Sequence, residues 1–155
     1  MATATMVDTT QDRIQEDKAD VLELIAGMAK ARYEKNVQAI AASYAAEAAI
    51  YSLAPPLVHR GIDRAGTQAW LDTWEGPVTI EPRDFEVTIA GDAAFAYGYM
   101  RMQGRKKGAD RDANFWMRET LCLERAGGGW RIVHEHTSVP FYMDGSNRPA
   151  FDLQP

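Results

Sequence analysis

The 155-residue sequence has few of the features that mark several classes of protein. Its single cysteine, Cys122, excludes an intrachain disulfide framework and a cysteine-rich zinc module. Charged residues interrupt the hydrophobic stretches, so no segment approaches the roughly 20 apolar residues of a membrane-spanning helix, and we expect no membrane association. The net charge of -5 and the pI of about 5.2 provide no basic field for phosphate backbones. We therefore expect no nucleic-acid partner.

Signals for transport and for nucleotide binding are also missing. The first eight residues show neither the basic region nor the apolar region of a secretory signal, which predicts a cytoplasmic location. The sequence contains no Gly-x-Ser-x-Gly elbow and no Gly-x-x-x-x-Gly-Lys phosphate loop, and the glycines at 127–129 lie between two predicted strands. We expect no cofactor. With 46% hydrophobic and 25% charged residues, the composition is typical of one globular domain.

The first half of the chain has the periodicity of amphipathic helices. After a flexible arm over residues 1–10, Thr9 or Thr10 is expected to cap a long helix. Its stripe comprises Ile14, Lys18, Val21, Leu22, Ile25, Met28, Ala29 and Arg32. Asn36 is the predicted cap of a short second helix whose core-facing stripe ends at Tyr44.

The second half changes to the two-residue alternation of β-strands. A third helix begins near Ile62 and carries Trp70 and Trp74, and strands follow from Val78 onward. The clearest strands are 113–125 and 130–139. Helices followed by strands indicate an α+β domain. The irregular tail over 141–155 either folds over a neighbouring subunit or is frayed.

The last predicted strand contains two of the three histidines. Strict alternation places His134 and His136 on one face, about 7 Å apart, and Glu135 on the other. A metal site needs a third ligand, and His59 lies in a separate proline loop, so no metal site is predicted. The alternatives are histidines satisfied within a partly buried sheet or an acid/base group in a pocket. A one-residue bulge would exchange the two faces.

The preceding strand offers a cation and several aromatic side chains. Arg118 is interpreted either as a clamp for a carboxylate or enolate oxygen or as part of a buried ion pair, and Glu119 falls on the opposite face. A sheet that is apolar on both faces predicts helices on one side and a partner subunit or pocket on the other, and we expect a homodimer through the sheet. Aromatic residues from different elements are expected to line a ligand cavity: Tyr33, Tyr44, Tyr51, Trp70, Trp74 and Trp116.

The order of elements, together with three motifs, resembles the nuclear transport factor 2-like superfamily. The motifs are Asn36-Val-Gln-Ala-Ile-Ala-Ala-Ser-Tyr-Ala, Pro55-Pro56 followed by Gly61, and Gly129-Trp-Arg-Ile-Val-His-Glu-His-Thr-Ser-Val-Pro-Phe. The last motif is similar to the SnoaL-like and ketosteroid-isomerase-like branches. The resemblance implies a conical α+β fold over residues 11–140, with three N-terminal helices packed on a curved, mostly antiparallel sheet that encloses a pocket.

The functional residues of ketosteroid isomerases transfer poorly to this sequence. The position of their catalytic aspartate, at the end of the first strand, is Ser52, which cannot act as a carboxylate base. Their oxyanion-hole tyrosine falls near Met28, and their aspartate on the penultimate strand has no clear match, although Glu119 is nearby. Steroid isomerisation is therefore not predicted.

The resemblance instead predicts a SnoaL-like protein that binds a small apolar or acidic molecule. Its activity would be that of a cofactor-independent isomerase, cyclase or dehydratase, with His134 and His136 in acid/base roles and Arg118 stabilising negative charge. The alternative is a noncatalytic assembly or accessory ligand-binding domain that resembles the association domain of calcium/calmodulin-dependent kinase II.

Overall fold

The computed structural model describes residues 3–155, with side chains from Thr9 onward. Over these residues the chain forms three helices and six strands. The helices are α1 (Thr3–Tyr33), α2 (Val37–Ala42) and α3 (Arg64–Asp72). The strands are β1 (Tyr44–Tyr51), β2 (His59–Arg60), β3 (Trp74–Ala90), β4 (Ala93–Lys106), β5 (Ala113–Ala126) and β6 (Gly129–Ser138).

The six strands form one curved, open sheet in the order β2-β1-β6-β5-β4-β3. Neighbouring strands are antiparallel except for β1 and β6, which run parallel. The helices cover one side of the sheet, called the inner face below, and the other side is called the outer face. The predicted α+β fold, with three N-terminal helices on a mostly antiparallel sheet, is confirmed.

Helix α1 packs along the inner face through an apolar stripe. Val21, Ile25 and Met28 recur at helical spacing and are at most 1% exposed. An ion pair of 2.7 Å between Asp17 and Arg125 joins this helix to β5. The helix begins at Thr3, so the predicted start at Thr9 or Thr10 is wrong. Residues 1 and 2 of the predicted arm lie outside the described residues.

Two residues assigned to helices by their spacing belong to strands. Asn36 caps α2 as predicted, because its side chain accepts a hydrogen bond from a backbone N–H of the first turn. However, α2 ends at Ala42, and Tyr44 is the first residue of β1. Likewise Trp74 begins β3 rather than ending α3. Each aromatic residue pairs with a strand far away in the sequence, and this pairing overrides the local helical spacing.

A bulge in β6 decides which residues of this strand reach the inner face. The pairing with β5 shifts register at this point and leaves Val133 without a partner. Trp130 and Ile132, before the bulge, are buried under the helices. After the bulge it is Glu135 that turns inward, at 6% exposed. The strict alternation expected for this strand is therefore wrong, and its two histidines lie on the outer face.

None of the described helices is long and apolar enough to span a membrane. The longest, α1, has 31 residues, but a charged or polar residue interrupts it every few positions.

Candidate active site

A cavity of about 630 Å³ lies between the inner face of the sheet and the three helices, a volume suited to a small organic molecule. Apolar side chains form its walls, among them Ile40, Ile50, Leu53, Ile62, Trp70, Trp74, Ile80, Met102, Phe115 and Met117. Polar groups lie at its two ends. Those at the floor are buried, and those at the mouth, which include His59, Asp63, Thr67 and Lys106, are exposed or half-exposed.

The backbone at the mouth requires a glycine. Gly61 adopts a φ of 64°, and a Cβ added there would lie 2.1 Å from the carbonyl oxygen of Ala46. The N–H of Gly61 donates to the carbonyl of Ala48 at 2.9 Å. This close approach ties the segment before α3 to β1 and so holds the mouth in place.

The floor of the cavity carries a carboxylate surrounded by donors. The Tyr44 hydroxyl donates a hydrogen bond to Oε2 of Glu135. Arg32 donates from Nη2 to the Tyr44 hydroxyl at 3.2 Å and lies 3.9 Å from the same carboxylate oxygen. Thr137 donates weakly to Oε1 at 3.5 Å. Burial and the negative charge of Glu135 raise the pKa of Tyr44 well above its ordinary value, so the phenol keeps its proton.

A second carboxyl group, that of Glu119, lies beside this cluster in a different state. Glu119 is 3% exposed, and its Oε2 has no hydrogen-bond partner among the described residues. Burial, followed by repulsion from Glu135, raises the pKa of Glu119 to about 8, although the charge of Arg32 opposes the shift. At neutral pH Glu119 is therefore a neutral acid that lines an apolar cavity.

Three of the six aromatic residues predicted to bind substrate line the cavity: Tyr44, Trp70 and Trp74. The rings of Trp70 and Trp74 meet edge to face, with centroids 5.8 Å apart. The other three lie elsewhere. Tyr33 is 54% exposed at the end of α1, Tyr51 lines a separate depression beside the proline loop, and Trp116 is on the outer face.

The residues predicted to be catalytic also lie outside the cavity lining. On the outer face, Arg118 donates from Nε to the Ser138 hydroxyl at 3.1 Å. The rings of His134 and His136 have centroids 6.4 Å apart, and Tyr51 contacts both edge to face. Across the described residues, no group of three or more potential ligand side chains could hold a metal ion. The structure does not bring the histidines and Arg118 to the aromatic wall, and their catalytic role stays a prediction.

Comparison of the sequence with known proteins identifies the family of this domain. The model of the SnoaL-like domain matches residues 21–142. The chain belongs to the SnoaL-like domain family. No protein with a curated description matches the sequence.

Solved structures share the fold of this SnoaL-like domain. A nuclear transport factor 2-like protein of unknown function from Pseudomonas putida KT2440 is 28% identical, with a TM-score of 0.77 over 88% of this chain and 95% of that chain. A proposed ketosteroid isomerase from Shewanella frigidimarina is also 28% identical, with a TM-score of 0.59 over 75% and 92%. A proposed dehydratase from Streptomyces avermitilis has a TM-score of 0.71 over 83% and 99% at 14% identity, which shows the fold alone.

Sequence reasoning missed the polar floor of this SnoaL-like domain, although two signals pointed to it. Arg32 lies on the apolar stripe of α1, and Glu119 lies on the apolar face of β5 beside Met117 and Leu121. A charged residue in such a position is rarely buried unless it is paired or functional. Glu135 gave no comparable signal, because the bulge that turns it inward is not visible in the pattern.

The C-terminal tail packs against its own domain. Phe151 contacts Phe115, a residue of the cavity wall, with ring centroids 4.4 Å apart. A bridge between Phe141 and Pro149 and a hydrogen bond from the Tyr142 hydroxyl to the Asp152 carboxylate close the tail on itself. The tail therefore packs against a side chain of the cavity wall.

We expect Phe151→Ala to loosen this contact. Loss of the aromatic pair and of half-buried apolar surface should lower the free energy of unfolding by about 1 kcal/mol and speed amide exchange in the tail. Urea unfolding and hydrogen exchange measure the two effects. Leu153→Ala is the matched control, since Leu153 is equally exposed, at 47% against 46% for Phe151. Equal effects of the two substitutions would contradict a specific role for Phe151.

Proposed function

We propose that this SnoaL-like domain catalyses cofactor-independent proton transfer on a small, largely apolar molecule, in an isomerisation or a dehydration. The observation that carries the proposal is the pair of unlike carboxyl groups at the cavity floor. Glu119 is neutral and has an oxygen without a hydrogen-bond partner among the described residues, whereas Glu135 is held by Arg32 and Tyr44. A protonated carboxyl group beside a carboxylate that is paired with an arginine supplies an acid and a base at one pH.

The chemistry follows from these two states. The Glu119 carboxyl would donate its proton to a carbonyl oxygen of the ligand, and the Glu135 carboxylate would take a proton from the adjacent carbon, which yields an enol. For a β-hydroxy carbonyl compound the Glu119 proton would instead leave with the hydroxyl group as water. In both cases one proton enters the ligand and one leaves it, and exchange with solvent restores the two side chains.

The walls and the related structures support the same class of reaction. Apolar side chains exclude water, which strengthens the interaction of both carboxyl groups with a bound oxygen or carbon acid. Proteins with this fold include a proposed dehydratase and a proposed ketosteroid isomerase. Tyr44, Trp70 and Trp74 keep their predicted place as ligand-binding residues in the proposal, and Glu119 and Glu135 replace His134, His136 and Arg118 as its acid and base.

The experiment measures proton transfer without requiring the natural substrate. The bicyclic ketone 2-tetralone is incubated with the protein in deuterated buffer, and loss of the α-proton signals is followed by NMR. We expect the protein to accelerate exchange well above the buffer rate, with saturation as the ketone fills the cavity. Exchange at the buffer rate would count against the proposal.

A second candidate function, assembly, is favoured by the outer face. This surface exposes Phe95, Tyr97 and Tyr99 to 43%, 44% and 38%, and it carries the predicted residues Trp116, Arg118, His134 and His136. Contiguous exposed aromatic surface is typical of protein interfaces. We propose that two copies pair through this face as a homodimer. The cytoplasmic location stays a prediction from the sequence.

Tyr99→Glu is expected to separate the two copies. Tyr99 lies between Arg83 and Arg118 in the register of three strands, so a carboxylate there pairs with these arginines and no longer offers aromatic surface. Sedimentation should show a dimer for the wild type and a dissociation constant at least tenfold higher for the variant. Met143→Glu changes a residue that is 94% exposed on the tail and should leave the mass unchanged. A monomeric wild type would refute this interface.

A further inference from the structure

Lys106 places a positive charge at the mouth of the cavity. Its ammonium lies 4.5 Å from the ring centroid of Trp74 and 5.5 Å from that of Trp70, and it donates to the Thr73 hydroxyl at 2.5 Å. Within the described part of the chain, no carboxylate oxygen lies within 4 Å of it. An ammonium group has three donors, so two of them are left for a ligand.

Trp74 supplies a second donor at the same place. Its side chain lines the cavity and is 2% exposed, yet its Nε1 has no hydrogen-bond partner among the described residues. A buried indole N–H normally has an acceptor. The ring that carries this N–H is the one beneath the Lys106 ammonium, so the two unused donors belong to adjoining side chains at the same end of the cavity.

The floor offers no competing site for an anion. The charges of Arg32 and Glu135 offset each other there, and Glu119 is neutral at pH 7. Along β5, Glu119 lies six positions after Ala113, which pairs with Gly104 of β4, two residues before Lys106. This spacing corresponds to about 20 Å along the strand, so the two ends of the cavity bind different parts of one ligand.

We infer that the ligand is an elongated aromatic or polycyclic carboxylate whose anionic group binds Lys106 and the Trp74 N–H at the mouth. The inference rests on the proposed function, in which the opposite end of the ligand reaches the carboxyl groups of the floor. One carboxylate oxygen accepts from the ammonium and the other accepts from the indole, and the rings of the ligand lie between Trp70 and the apolar wall.

The test compares biphenyl-4-carboxylate with its neutral isostere, biphenyl-4-carboxamide. Binding is followed by quenching of tryptophan fluorescence and by calorimetry at low salt. We expect the carboxylate to bind at least tenfold more tightly than the amide to the wild type, because charge-assisted hydrogen bonds exceed neutral ones. Lys106→Met should remove this preference, Lys106→Arg should retain most of it, and Trp74→Phe should weaken carboxylate binding about threefold.

Lys107→Met is the matched control, since the neighbouring lysine is exposed and does not line the cavity. It should leave the preference intact. Equal affinity of the two probes for the wild type would overturn the inference. An equal loss of affinity for both probes in Lys106→Met would also overturn it, because this result would indicate a purely structural lysine. Absence of carboxylate binding at millimolar concentration would also overturn it. If only the proposed function is wrong, the protein will still prefer the carboxylate probe but will not accelerate proton exchange on 2-tetralone.

Discussion

Glu119→Gln should lower the rate of α-proton exchange on 2-tetralone by a factor of about 10² to 10⁴. Glutamine has the shape of the neutral carboxyl group but no proton that it can transfer, so ligand binding should change little. NMR in deuterated buffer measures the rate. The control is Glu124→Gln, an exposed glutamate on the same strand, which should exchange as fast as the wild type. Retained activity in Glu119→Gln would show that another group transfers the proton.

The same substitution should also change how stability depends on pH. The pKa of Glu119 rises from an ordinary value of 4.5 in the unfolded chain to about 8 in the fold. Between these values the folded state keeps a proton that the unfolded state has released, so the stability of the wild type falls by on the order of 1 kcal/mol per pH unit as the pH rises. Glutamine removes this loss. Urea unfolding at several pH values should show that the free energy of unfolding of the variant increases relative to that of the wild type up to pH 8. The same pH dependence in both proteins would contradict the raised pKa of Glu119.

Arg32→Met should cause a large loss of stability. The substitution leaves the buried Glu135 without its cation, and breaking one side of such a pair costs about 3–5 kcal/mol. A decrease in Tm of about 10 °C is expected for a domain of this size. Calorimetry measures both quantities. Lys30→Met, an exposed change two residues earlier on the same helix, should cost only a few tenths of a kcal/mol.

A double substitution separates the charge from the shape of the arginine. Arg32→Met combined with Glu135→Gln removes both charges, so it should recover most of the stability lost in Arg32→Met. No recovery would mean that the arginine acts through its packing rather than through Glu135.

Much of the fold could be predicted because local patterns and tertiary contacts agree in most elements. The strand predicted over 113–125 is β5, and the one over 130–139 is β6 shifted by a single residue. The strand β5 alternates along most of its length and lies between a polar loop and a glycine-rich turn, and Pro140 follows the end of β6. Tyr44 and Trp74 were misassigned for the opposite reason, since the spacing before each one is helical and only its strand partner, distant in sequence, makes it a strand residue.

The site was harder to predict than the fold. Tyr44, Trp70 and Trp74 could be placed at the cavity because large aromatic side chains from several elements converge wherever helices cover a curved sheet. Arg32 was visible only as a charge on an apolar face, and Glu119 also as a residue near the penultimate-strand aspartate of ketosteroid isomerases. The role of each depends on the position of the other. That position follows from packing between elements 87 residues apart in the sequence, which no local pattern contains.

The bulge at Val133 decides which side chains of β6 line the cavity. The same stretch of β6 encodes two alternative sets of functional groups, carboxylate and hydroxyl on one side and two imidazoles on the other. If Val133 paired with Cys122 instead of bulging, His134 would take the inner position opposite Leu121 and Glu135 would turn to the outer face, with no change in composition. A shift of one residue in strand register can therefore exchange carboxylate for imidazole at the cavity without new side chains.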